Sequence, residues 1–155
     1  MPVTKLKEFL DKSNIKYVIV IHSGAYTAQE VAESAHISGK ELAKTVVVKV
    51  DGKMAMAVLP ASCKVDLELL RKAAGGSRVD LAGEEEFKGA FPDCEPGAMP
   101  PFGNLYGMEV FADESLAGQG EMAFVAGSYT EVVRLSYKDF SRLVNPRVGR
   151  FALRP

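Results

Sequence analysis

The chain has little from which to build a metal centre, a disulfide framework or a membrane span. It has two cysteines and two histidines in 155 residues. Cys63 and Cys94 form no CxxC pair, and no Cys, Asp or Glu stands at ligand spacing from His22 or His36, so no metal site is expected. So sparse a cysteine set fits a reducing, cytoplasmic setting better than a secreted one. No run reaches the ~18 apolar residues of a membrane span, and the N-terminal MPVTKLKEFLDKSNIKY lacks a signal-peptide core. Nineteen basic residues against twenty acidic ones leave a net charge of −1. Nothing global therefore attracts DNA or any other nucleic acid, and such contact has to come from a local basic patch. The GxSxG elbow, the Walker loop and the Rossmann fingerprint are all missing, so no nucleotide cofactor is implied. With no internal repeat or linker, residues 1–155 read as one domain burying roughly 70% of its unfolded surface.

What is present is a series of short helices and hairpins. Val3, Leu6, Phe9 and Leu10 have helical spacing, with lysines and Glu8 opposite. Tyr17-Val18-Ile19-Val20-Ile21 is a continuous β-branched run and reads as a buried strand ending at His22. Thr27 and Glu30 form a capping box before a second helix carrying Val31, Ala32 and Ala35. Residues 44–50 and 53–60 are two strands joined by Asp51-Gly52, the signature of a type I′ hairpin turn. A helix follows at about 65–73 and stops at Gly75-Gly76. A short strand is expected at 78–82, a short helix from Glu84, a strand over 107–112, and a second hairpin around Gly127-Ser128-Tyr129-Thr130. Ser136 with Asp139 caps a last helix through Phe140, Leu143 and Val144. The order predicts an α/β fold of the α+β kind: a mixed, largely antiparallel sheet flanked by helices, not a doubly wound one.

Four places could carry chemistry. The stretch 93–103 holds three prolines and two glycines in eleven residues, which excludes regular helix and central strand. Its Ala98, Met99 and Phe102 suit either one wall of a pocket or a crossover packed on the core. Lys44 alternates with Thr45 and so shares the apolar face of its strand with Val46, Val48 and Val50. There it either snorkels to solvent or sits in a pocket, seeking a carbonyl, carboxylate or phosphate while burial lowers its pKa. His22 ends a buried strand, where a lone histidine reads as a hydrogen-bonded core residue ahead of a catalyst. Cys94 is flanked by Asp93 and Glu95, which raise a thiol pKa, so a bystander thiol is expected there. The run Lys138, Arg142, Arg147, Arg150 and Arg154 is either a solvated basic tail or a set of phosphate contacts.

In order along the chain stand His22, Thr27-Ala28, Leu42-Ala43-Lys44-Thr45-Val46-Val47, Ala57-Val58-Leu59-Pro60, Pro96-Gly97-Ala98-Met99-Pro100-Pro101-Phe102-Gly103 and Ala126-Gly127-Ser128. Together they resemble the YbaK/prolyl-tRNA-synthetase-associated domain family of editing domains, over about residues 4–144, leaving the Arg-rich tail 145–155 outside. The resemblance implies a barrel-like mixed sheet and hydrolysis of the ester of mischarged tRNA, with Ala- or Cys-tRNAPro-like substrates and no cofactor. It assigns the key lysine to Lys44 and the G-x-x-x-P loop to Gly97 and Pro101, with Gly97 as the point of backbone contact. Around them it implies a substrate pocket of His22, Thr45, Ala98, Met99, Pro100, Pro101, Phe102, Gly127 and Ser128. Its partners would be aminoacyl-tRNA and a prolyl-tRNA synthetase, with Arg142, Arg147 and Arg150 as candidate tRNA contacts. The rival reading is a non-catalytic tRNA- or synthetase-binding module of the same fold. Two departures bear on specificity: Tyr129 stands where some relatives have histidine, and Thr45 where some have asparagine.

Overall fold

The structure is a computed structural model that describes residues 4–21, 41–95 and 97–154. His22 and the helix expected from Thr27 lie outside the described residues. In chain order the elements are α1 (Thr4–Lys12), β1 (Tyr17–Ile21), β2 (Ala43–Val50), β3 (Lys53–Pro60), β4 (Lys64–Val65) and α2 (Leu67–Ala74). Then come β5 (Val79–Leu81), α3 (Glu84–Phe87), β6 (Glu109–Asp113), β7 (Glu121–Val125), β8 (Glu131–Ser136), α4 (Tyr137–Val144), β9 (Arg147–Gly149) and β10 (Ala152–Leu153). No described helix is long and apolar enough to cross a membrane.

The β2–β3 hairpin is the frame. Asp51 and Gly52 both take positive φ, 51° and 85°, as the type I′ turn requires. The register then runs unbroken from Val50↔Lys53 to Ala43↔Pro60. The main sheet has the order β5-β2-β3-β6-β9, in which β3–β6 and β6–β9 are parallel. A second sheet, β1-β8-β7, is antiparallel, and β4 and β10 form a two-stranded ribbon. The two larger sheets meet at a single parallel bridge, Leu42↔Ala123, one residue ahead of β2. They do not close, so the barrel-like centre is corrected to separate sheets meeting at this junction.

Strand alternation gives the hairpin two buried faces. Val47, Met56 and Val58 belong to one core with Leu6, Leu10, Met99, Phe102, Phe124 and Phe140. Val48, Ala55, Ala57 and Leu59 belong to another with Leu70, Phe111 and Phe151. Buried on both faces, the hairpin reads as near-continuous apolar sequence. Phe102 is fully buried, with ring centroids 6.0 Å from Phe9, 5.4 Å from Phe124 and 5.7 Å from Phe140. One side chain thus ties the proline loop to two helices' worth of core, contributing about 2–3 kcal/mol from burial alone.

Caps set the helix ends as the sequence signals. Asp66 accepts the Leu69 N–H at 3.0 Å to start α2, and Ser136 accepts the Asp139 N–H at 3.1 Å to start α4. Two expectations change. Strand β1 is not buried: among the described residues it pairs with β8 alone, and Val18 and Ile21 are 58% and 75% exposed. An apolar run describes a strand's composition, and its place in the sheet decides its exposure. The tail is not a loose basic arm either. Phe151 is fully buried, and Asp113, itself 3% exposed, accepts the Phe151 and Ala152 N–H groups, each at 2.9 Å. These contacts dock β9 against β6 and β10 against β4.

Candidate functional site

The proline loop and the late glycine turn come together by backbone hydrogen bonds. The Glu95 N–H donates to the Gly127 carbonyl at 2.8 Å, and the Gly127 N–H donates to the Ala98 carbonyl at 2.8 Å. The Tyr129 N–H donates to Glu95 Oε2, also at 2.8 Å. Within the loop the Ala98 N–H closes a turn on the Glu95 carbonyl at 3.0 Å, with Gly97 at φ +82°. That is the left-handed region, which glycine enters without steric cost. Gly97 is exposed, and its own N–H has no acceptor among the described residues. A Cβ there would overlap the Tyr129 hydroxyl oxygen, so glycine is required by both backbone and space. The loop therefore holds the Gly97 backbone close against the Tyr129 phenol.

The rest of the loop turns inward. Ala98, Met99, Pro100, Pro101 and Phe102 are all buried, and Met99 and Phe102 are core residues of the face that holds Val47. They fix the loop rather than line an open wall. On the glycine turn, Ser128 and Thr130 share a hydrogen bond of 2.8 Å between their hydroxyls.

Lys44 is the second residue of β2, paired with Leu59. It shares the face of Val46 and Val48, while Thr45, paired with Val58, takes the face of the proline loop. Lys44 and the side chains of Met99 and Phe102 therefore stand on opposite faces of one strand, close to its entrance. The lysine is half-buried rather than stretched into solvent. Burial pushes its pKa down; a charge on Cys63 opposes that shift and Lys64 adds to it. No carboxylate pairs with the ammonium among the described residues. It stands two residues from Leu42, at the junction between two sheets.

The other expected residues divide. Arg142 pairs with Asp139 at 3.4 Å, and Arg147 pairs with Glu109 at 3.0 Å while donating to the Ala74 carbonyl and lying over the Phe111 ring. Arg150 is exposed and makes no ion pair among the described residues. Cys94 lies 4.0 Å from the Tyr106 hydroxyl, and burial pushes its thiol pKa up, the wrong direction for a nucleophile. No group of three or more metal-ligating side chains occurs among the described residues. Sequence reading missed Glu95, which holds the glycine turn, and treated Tyr129 only as a departure. The one available signal was that both flank glycines that need close backbone approach.

Comparison with known proteins gives the same region a family context. The family model described as "Aminoacyl-tRNA editing domain" matches residues 22–143. The prolyl-tRNA editing protein ProX of Acetoanaerobium sticklandii is 26% identical over 149 residues, covering 92% of this chain and 90% of that protein. The proline–tRNA ligase of Bacillus cytotoxicus is 32% identical over 89 residues, 57% of this chain, and the match spans only 16% of the ligase. Among solved structures, the hypothetical protein APE2540 superimposes with a TM-score of 0.85 at 18% identity, covering 96% of this chain and 99% of the other. A candidate trans-editing enzyme for prolyl tRNA synthetase gives 0.80 at 21% identity, covering 95% and 94%. These two likenesses establish the fold.

Proposed function

The chain belongs to the aminoacyl-tRNA editing domain family, and from that premise we propose that it is a trans-editing deacylase of mischarged tRNA, acting on Ala- or Cys-tRNAPro-like substrates. An aminoacyl ester is already activated, so catalysis needs a positioned water and a donor for the developing oxyanion, not a covalent intermediate. Water attacks the ester carbonyl carbon, the carbonyl oxygen takes the negative charge, and the bond to the ribose oxygen breaks. A free amino acid and a tRNA with its terminal hydroxyl result.

The observation that carries this reading is the N–H of the exposed residue Gly97, without an acceptor among the described residues and held in a loop bonded to the turn at Gly127. It is the natural donor to the oxyanion. Pro101 stiffens the loop, and Met99, Pro100 and Phe102 anchor it from the core, while Ala98 and Gly127 close the backbone clamp. Thr45 and Ser128 flank the aminoacyl side, and Lys44 meets the carbonyl oxygen or the terminal phosphate with an ammonium that has no carboxylate partner among the described residues. A second site of this kind is useful because a synthetase pocket built for proline cannot exclude a smaller apolar amino acid by size. The chain works in the cytoplasm on charged tRNA, with a prolyl-tRNA synthetase as its protein partner.

The rival, a module that holds tRNA without cleaving it, draws support from Lys44 standing on the other face of β2 from the loop's side chains. Incubation with a panel of aminoacyl-tRNAs, tRNAPro charged with Ala or Cys included, separates the two. Cleavage above the spontaneous rate, lost in Lys44→Ala, supports the deacylase. tRNA binding with no cleavage of any ester leaves only the binding module.

A further inference from the structure

A cleft of about 470 Å³ lies away from the proline loop, lined by Cys63, Asp113, Glu114, Ser115, Arg150, Ala152, Leu153 and Arg154. Its walls are the turn after β6 and the β4–β10 ribbon, which the family match does not reach on the tail side. Arg150 and Arg154 are exposed, and neither has an ion-pair partner among the described residues. Lys64 is likewise exposed and unpaired, and stands opposite Leu153 in the ribbon, so it projects from the same face. This contrasts with Arg142 and Arg147, whose charges are already answered by Asp139 and Glu109.

The acids in the cleft are unequal. Asp113 points its charge inward: Oδ1 takes the Phe151 and Ala152 N–H groups, and Oδ2 takes the Ser115 N–H and hydroxyl. Glu114 is exposed and is the acid that opposes the arginines. Leu153, 46% exposed, supplies an apolar floor between the cations.

The cleft also adjoins the entrance of β2. Lys44 pairs with Leu59, the chain leaves β3 at Pro60, and the Ala61 N–H returns to the Leu42 carbonyl at 2.8 Å. Cys63, two residues on, lines the cleft and packs in the core on the face of β2 that Lys44 shares. Cys63 thus links the face of Lys44 to a cleft whose exposed cations are Arg150 and Arg154.

We propose that this cleft docks the phosphate backbone of the tRNA acceptor end, with Arg150 and Arg154 as phosphate ligands and Lys64 extending the track along the ribbon. The proposal rests on the deacylase reading for the identity of the polyanion, and its test separates the two. Uncharged tRNAPro binding is measured by fluorescence anisotropy from 50 to 200 mM salt for wild type, R150A/R154A, E114Q and R78A. Arg78 is 79% exposed at the far edge of the main sheet, paired with Asp80, and serves as the control for loss of an arginine outside the cleft. Losing two phosphate contacts makes the slope of log K against log salt shallower by about 1.5–2, and weakens low-salt binding about tenfold. E114Q tightens binding, and R78A leaves the slope unchanged. An R150A/R154A slope equal to wild type, an equal loss in R78A, or weaker binding in E114Q overturns the cleft. Arginine-dependent binding without hydrolysis of any charged tRNA instead overturns the deacylase reading and leaves the cleft standing.

Discussion

Gly97→Ala separates two costs that fall on one atom. At φ +82° an alanine pays the left-handed penalty, about 1–2 kcal/mol. Its Cβ also overlaps the Tyr129 hydroxyl oxygen, while the ring carbon bearing that oxygen is 3.6 Å away, an ordinary contact. Tyr129 packs against the cluster of Leu42, Ala61, Ala123 and Val132, so the ring has little freedom to swing aside. Overpacking of this kind costs about 1–3 kcal/mol. The single variant should therefore lose about 2–5 kcal/mol. Removing only the oxygen, with Tyr129→Phe, should return the steric part and leave the backbone part. Urea denaturation of the four proteins of the double-mutant cycle measures this, and the cycle subtracts whatever Tyr129→Phe costs alone. The expected coupling is about 1–3 kcal/mol in favour of the double variant. Deacylation should follow it: Gly97→Ala loses most activity, and the double variant regains part. A coupling within about 0.5 kcal/mol of zero would refute the contact between Gly97 and Tyr129, and with it the loop geometry on which the oxyanion donor depends.

Other outcomes follow from named groups. Lys44→Met should abolish deacylation yet melt no lower than wild type at pH 7, because it removes a half-buried ammonium that has no carboxylate partner among the described residues. As the folded pKa of Lys44 lies below its unfolded value, the folded chain holds fewer protons between the two. Stability should thus rise with pH through that window while activity falls; a Lys44→Met profile parallel to wild type would refute the linkage. Burial pushes the Asp113 carboxyl up, but its four hydrogen bonds, led by the Phe151 N–H, outweigh this and hold it below its usual value. Its stabilisation should be present above the unfolded value near about pH 4 and be lost as pH falls through the folded one. Asp113→Ala should cost about 3 kcal/mol and expose the tail to proteolysis after β9; unchanged proteolysis would show that the tail is docked by Phe151 alone. Cys94→Ser should change the deacylation rate less than about twofold, since a thiol with a raised pKa offers little thiolate. A larger loss would revive thiol chemistry at the loop.

Much of the frame is legible in the residues. Asp51-Gly52 dictates the hairpin, Asp66 and Ser136 dictate two helix starts, and Pro96-Gly97 dictates a turn with a positive φ. Each rule acts over a few residues, within which backbone sterics and a single side-chain oxygen decide the outcome. Alternation also sets Lys44 with Val46 and Val48 before any tertiary contact is known. Tertiary structure decided what those faces meet. It turned Phe102 from a possible pocket wall into a core ring, left β1 at a sheet edge, and put Lys44 and the loop's side chains on opposite sides of one strand. It also brought Tyr129 over Gly97 and Asp113 under the tail, through partners 32 and 38 positions away in the chain. Such pairings depend on closing long loops and burying apolar surface all at once, and no local window of sequence holds either quantity.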